Sequence, residues 1–122
     1  MPLKQIAIAP MNSLLFLSDP DLGEAPVPVW GAQISSTPSC ISFGCFPEQD
    51  GSTEISVGTR SEVDPGTTPA FEGELETPHR AVVITTVDLE TVLKMDVLGA
   101  RTHVSIWLSH PRWPKKVTIG LG

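Results

Sequence analysis

Tyrosine is absent from this 122-residue chain, and 3 Trp and 4 Phe are its only aromatic residues. A surface that stacks bases or sugar rings needs several aromatic faces, so the composition argues against one. Cations are scarce as well, with 8 Lys and Arg against 14 Asp and Glu, a formal net charge of −6 and a pI near 4.8. Phosphate contacts need clustered Lys and Arg, so nucleic acid is not an expected partner. No run approaches the roughly 20 apolar residues of a membrane span. The apolar stretch from Ile6 to Leu17 is broken by Pro10, Asn12 and Ser13, and no small-x-small cleavage site follows it. Neither membrane insertion nor a secretory signal is expected.

Cysteine is nearly missing too. Cys40 and Cys45 are the only two, within Cys40-Ile-Ser-Phe-Gly-Cys-Phe46. In an extended run an odd separation sends them to opposite faces, with α-carbons roughly 17 Å apart. A disulfide tolerates no more than about 7 Å, so both should be free thiols in a reducing, cytoplasmic setting.

What the chain does contain is strand pattern. The 12 prolines and 10 glycines disfavour long helices and suit short strands joined by turns. Around Arg80-Ala-Val-Val-Ile-Thr-Thr-Val87 the apolar character is continuous, whereas Leu93, Met95 and Val97 alternate with Lys94 and Asp96. Val104, Ile106 and Leu108 then alternate with Ser105 and Trp107. Period-two alternation marks half-buried strands, and Gly99-Ala-Arg101 between the last two runs predicts a hairpin with positive φ at the glycine. Further strands are expected at 3–9, 14–17, 40–46, 53–60, 70–76 and 117–121, with Asp50-Gly51 predicting a second hairpin. Asp88 could cap a short helix over 89–94, but so short a segment is marginal, and a turn is the better reading. Ser18 to Ser36 is irregular. Its spaced prolines suit an edge or a covering loop, with Trp30 plugging one end of the core. The expected fold is therefore a single all-β domain over 1–122, an antiparallel β-sandwich or barrel of about eight or nine short strands.

Catalytic and metal-binding signals are thin. His79, His103 and His110 form no His-x-His or His-x-x-x-His pair, and Cys-x4-Cys alone is no metal signature. There is no nucleophile elbow and no glycine-rich phosphate loop. A small enzyme built on Cys45, His103 and His110 is the last-ranked reading. No catalytic residue, metal or cofactor is assigned.

The sharper signal is Glu72, Glu74 and Glu76, which alternation places on one strand face at roughly 7 Å intervals, with Phe71 and Leu75 on the other. Three like charges in a row repel one another unless a cationic partner compensates. An inhibitor of an enzyme with a basic groove needs such a face, because complementary charge speeds association and sets register. The plainer account is charge that keeps an edge strand from pairing with another copy. Glu54, Glu62 and Asp64 could extend the patch. All 14 carboxylates lie at or before Asp96, while Arg101, Arg112, Lys115 and Lys116 stand in the last 22 residues. That basic tail either folds against the acidic body, with Trp113 covering the core, or offers Trp113 as an anchor for a partner.

Trp30 before an irregular stretch, Ile41-Ser-Phe43 opening a strand, Leu93-Lys-Met-Asp-Val97, Gly99, and an alternating strand carrying Trp107 and closed by Pro111 together resemble the competence protein J-like nuclease inhibitor family. The chain departs from that pattern between Trp30 and Ile41, where the segment is short and bears a proline. The resemblance implies a non-enzymatic, all-β, partner-binding protein, and no binding residue is carried over from it. The resulting expectation is an acidic inhibitor or immunity-type protein for a basic partner enzyme such as a nuclease. Glu72, Glu74, Glu76, Glu54 and Trp113 are the candidate contacts. A structural or accessory subunit, as a homo- or hetero-oligomer, is the alternative.

Overall fold

The structure, a computed structural model, describes residues 3–21 and 33–122. Within them ten strands follow one another as β1 (Lys4–Ile8), β2 (Leu14–Ser18), β3 (Ile34–Thr37), β4 (Cys40–Gly44), β5 (Thr53–Thr59), β6 (Phe71–Glu76), β7 (Ala81–Thr85), β8 (Thr91–Asp96), β9 (Arg101–Leu108) and β10 (Lys116–Leu121). A single-turn helix, α1 (Arg60–Val63), leaves β5, and a 3-10 turn over Met11–Ser13 joins β1 to β2. The strands form two five-stranded sheets, ordered β1-β5-β10-β9-β6 and β3-β4-β2-β7-β8. Every pairing is antiparallel except that of β10 with β5. The expected all-β fold is what forms, and of the two architectures left open it is the sandwich.

Alternation explains the core. Leu15, Leu17, Ile41, Phe43, Val82 and Ile84 from the second sheet meet Ile55, Val57, Leu75, Val104, Ile106, Val117 and Ile119 from the first, each 0% exposed. Each such side chain contributes roughly 1.5–3 kcal/mol by leaving water. Cys45 joins this cluster, Cys40 lies outside it, and both are free thiols.

The two hairpin expectations are corrected. β8 pairs with β7 and lies in the second sheet, whereas β9 lies in the first, so the loop around Gly99 carries the chain from one sheet to the other. Gly99 is not among the glycines with positive φ. The Asp50-Gly51 turn likewise passes from β4 in the second sheet to β5 in the first. A turn dipeptide reports a reversal, and the next strand can pair beside the last or face it across the roughly 10 Å of a sandwich.

Two elements were not expected. β3 has one large apolar residue, Ile34, and so no readable alternation; it forms by pairing with β4, and Thr37 Oγ1 accepts the backbone N–H groups of Ser39 and Cys40 at the turn. α1 stands where a loop was read. It is started by Thr59, whose backbone N–H and hydroxyl both donate to Glu62 Oε1 at 3.2 and 2.6 Å. The turn reading at Asp88 holds, with Leu89 in the left-handed region at φ 64. The proline-spaced segment and Trp30 lie outside the described residues.

Candidate functional site

β6 is the last strand of the first sheet, and its sequence decides its two faces. Phe71 and Leu75 turn toward the core, while Glu72, Glu74 and Glu76 are exposed on the outer face. Across the ladder on β9 they meet Ser105, His103 and Arg101 respectively. The mutual repulsion of the row is relieved from within the chain: Arg60 Nη2 lies 3.0 Å from Glu72 Oε1, and Arg101 Nη1 lies 4.0 Å from Glu74 Oε2. Glu76 has no ion pair among the described residues.

Arg60 reaches Glu72 because the segment from α1 to β6 crosses the outer face of the sheet. That crossing needs glycine beneath it. A methyl group at Gly120 would stand 3.2 Å from Arg60 Cα and 3.1 Å from the Trp107 ring. Trp107 is buried on this outer face, and its Nε1–H donates to Thr67 O at 2.9 Å, fastening the strap. Ser105 Oγ, buried on the same face of β9, has no hydrogen-bond partner among the described residues.

The five candidate contacts are not one surface. Glu72, Glu74 and Glu76 form a continuous row, but Glu54 stands apart from it. Glu72 is level with Ser105, Gly120 and Gly58, three strands over, and Glu54 is four residues further along β5. At strand spacing and rise this separates Glu54 from Glu72 by roughly 19 Å. Glu62 is occupied in the α1 cap, and Asp64 faces Arg60 at 3.9 Å while accepting the Gly66 N–H. Trp113 lies in the β9–β10 loop, near the Glu54 end. It is 52% exposed, which corrects the expectation that it covers the core. Its ring stacks on His110, with centroids 6.0 Å apart, and Arg112 lies over it at the same distance. Among the described residues Arg112, Lys115 and Lys116 make no ion pair, so of the tail cations only Arg101 folds back on the acidic body.

The residues considered for catalysis are dispersed. Burial pushes the Cys45 thiol up to about 12, against a smaller opposing effect of the Thr53 hydroxyl, and burial pushes Cys40 up to about 11. Neither is a ready nucleophile. His103 lies near the start of β9 and His110 beyond its end, where its Nδ1 accepts the N–H groups of Arg112 and Trp113. No group of three or more His, Cys, Asp or Glu among the described residues is placed to hold a metal. No helix among them is long and apolar enough to cross a membrane.

One ionic contact escaped sequence reasoning. Asp19, 3% exposed, accepts the His79 ring Nδ1 at 2.7 Å and the backbone N–H groups of His79 and Asp21. Burial alone would raise its carboxyl, but those three donors outweigh it and hold Asp19 below the ordinary 3.8. The same hydrogen bond and charge raise His79 above 6.5. Both residues sit in proline-bearing turns 60 positions apart, and only the fold joins them. A cavity of about 650 Å3 opens between Arg60, Arg101, His103, Leu98 and Leu121, beside the acidic row.

No protein-family model matches this sequence, and no curated protein matches it. Among solved structures, the chain is similar to the crystal structure of ComJ, inhibitor of the DNA degrading activity of NucA, from Bacillus subtilis. The two superpose with a TM-score of 0.69 over 97% of this chain and 93% of ComJ, at 12% sequence identity. The chain therefore has the fold of ComJ over nearly its whole length, in agreement with the family resemblance read from Trp107, Pro111 and the strands before them.

Proposed function

We propose that this chain is a non-enzymatic inhibitor that binds and restrains a basic partner enzyme, a nuclease being the favoured class. The observation that carries the reading is the near full-length likeness to ComJ, whose described role is inhibition of a DNA-degrading activity. The exposed row of Glu72, Glu74 and Glu76 supports it. A nuclease binds phosphates with clustered cations, and an acidic strand offers those cations a competing set of charges. On this reading the protein acts in the cytoplasm, without a cofactor. Trp113 and Glu54 belong to a second, smaller contact at the other end of the sheet.

The test is a DNA-degradation assay with the nuclease encoded beside or co-purifying with this protein. Added chain lowers the rate in a saturable, near-stoichiometric way. The triple substitution Glu72→Lys, Glu74→Lys, Glu76→Lys weakens that inhibition at least a hundredfold with an unchanged circular-dichroism spectrum. Full inhibition by the reversed protein sinks the acidic-row reading; absence of inhibition by the native protein sinks the inhibitor reading.

The alternative, an accessory subunit, is favoured by one observation, the exposure of Trp113. Association through that ring survives high salt, whereas binding led by exposed charge fades once the screening length falls to a few ångströms. Sedimentation at low and high salt separates the two.

A further inference from the structure

The backbone of β6 carries information that its side chains do not. Ala70 donates its N–H to Ile106 O and Thr77 donates to Ala100 O, which sets the phase of the ladder with β9. Phe71, Gly73 and Leu75 accordingly direct their backbone groups at β9. Those of Glu72, Glu74 and Glu76 point outward from the sheet. Glu76 N–H is met by Pro38 O at 2.9 Å, from the turn between β3 and β4. Among the described residues nothing meets the backbone groups of Glu72 and Glu74. Among the described residues the edge is thus closed at one end and open for the three or four residues before it.

Beside the open part lies apolar space. A cavity of about 440 Å3 is lined by Ile34, Phe71, Leu108 and Pro111, with Gln33 and Ala70 at its rim. It lies between the two sheets, on the core-facing side of β6. A strand added to this edge would therefore present two different faces to the protein. Residues opposite Glu72 and Glu74 fall on the outer face, with their Cβ atoms roughly 5 Å from the glutamate Cβ. The residues between them fall on the inner face, toward Phe71 and Ile34.

We propose that the inhibited partner is bound by strand addition: an extended segment of it, with Lys or Arg alternating with apolar residues, pairs with the open edge of β6. Backbone hydrogen bonds to Glu72 and Glu74 supply the pairing. The carboxylates select cationic residues at every second position, and the Ile34–Phe71 cavity takes an apolar side chain between them. The same charges reject a second copy of this chain, since β6 against β6 sets carboxylate against carboxylate. That repulsion commits the edge to a basic strand rather than to self-association.

This inference rests on the inhibitor reading for the nature of the partner, and the two fail separately. The probe is an acetylated and amidated Lys-Val-Lys-Val-Lys peptide added to the isotope-labelled full chain. Two controls accompany it, the same peptide N-methylated at its lysines and the composition-matched Lys-Lys-Lys-Val-Val. The alternating peptide shifts the amide signals of Glu72 to Glu76 and slows hydrogen exchange at Glu72 and Glu74. N-methylation, which keeps every charge but removes the N–H groups that would face β6, weakens binding at least tenfold. Equal affinity of the three peptides overturns the proposal in favour of charge alone. Binding elsewhere, or none, overturns it outright. Glu74→Pro gives the reciprocal check, because it removes an outward N–H without taking a ladder bond. It lowers affinity further than Glu74→Ala, and equal loss in the two variants counts against strand pairing. Failure of nuclease inhibition with intact peptide binding discards the proposed function and leaves the edge site standing.

Discussion

The first sheet ends on two unlike strands. β1, at one edge, reads Lys-Gln-Ile-Ala-Ile and carries no carboxylate. Its Lys4 reaches across the sandwich and donates to Lys94 O of β8 at 2.6 Å, so this edge is tied to the second sheet. β6, at the other edge, carries three exposed carboxylates, is closed among the described residues at Glu76 alone, and flanks an apolar cavity. Protection against aggregation is a need of every sheet edge, yet the two are treated differently. Where the sheets are laced together one lysine suffices. At β6, whose Glu76 N–H also bonds to the second sheet at Pro38 O, the chain sets a row of like charges that its own Arg60 and Arg101 only partly offset. On the proposed reading this contrast suits β6 to a partner.

The widest separation expected between the edges is in binding. Reversing Glu72, Glu74 and Glu76 abolishes most of the affinity for a cationic enzyme, while Gln5→Lys with Ala7→Lys on β1 leaves it within twofold. Calorimetric titration of both variants checks this, and equal losses would dissolve the distinction between the edges.

Next comes the strap that brings Arg60 to the row. Gly120→Val pushes against Arg60 Cα and the Trp107 ring, and overpacking of this kind costs about 1–3 kcal/mol. Chemical denaturation reads the loss, and a variant as stable as the native chain would show that the strap yields. Arg101→Ala is gentler. Its contact with Glu74 is 4.0 Å long with side chains 76% and 61% exposed, so stability changes by no more than about 0.5 kcal/mol. The change nevertheless uncovers Glu74 and raises affinity for a basic partner at low salt.

The Asp19–His79 contact sharpens the comparison by pH. His79 has its pKa raised above 6.5 by Asp19, so its contribution is fully present below the unfolded value and is lost as pH rises through the folded one. Asp19 is lowered below 3.8, so its contribution is present above that value and is lost as pH falls through the folded one. Titration of the His79 ring by NMR shows a raised midpoint that returns toward 6.5 in Asp19→Asn. The smallest effect is at Ser105. Its buried hydroxyl has no partner among the described residues, so Ser105→Ala holds stability or raises it by up to ~1 kcal/mol, and a clear loss would mean the hydroxyl is bonded after all.

Much of this was readable in one dimension. Alternation at Leu93, Met95 and Val97 and at Val104 and Ile106 is a local property of a half-buried strand, so it announces both the strand and its inner face. The outward row of Glu72, Glu74 and Glu76 follows from the same period of two, as does the separation of Cys40 from Cys45. The short strand β3 was not readable, because Ile34-Ser-Ser-Thr37 gains its conformation from β4 rather than from its own pattern.

What the sequence determined by itself was the all-β class, the register of inside and outside along the alternating strands such as β6, β8 and β9, and the acidic row. Only the tertiary structure decided which strands are neighbours. It separated β8 from β9, set Glu54 far from Glu72, left Trp113 in solvent, joined Asp19 to His79, and made β6 the edge of its sheet. The physical reason is the range of the forces involved. Side-chain alternation is enforced within a few residues by the pleat, whereas strand partners are chosen by burial summed over the whole core, which no local segment encodes.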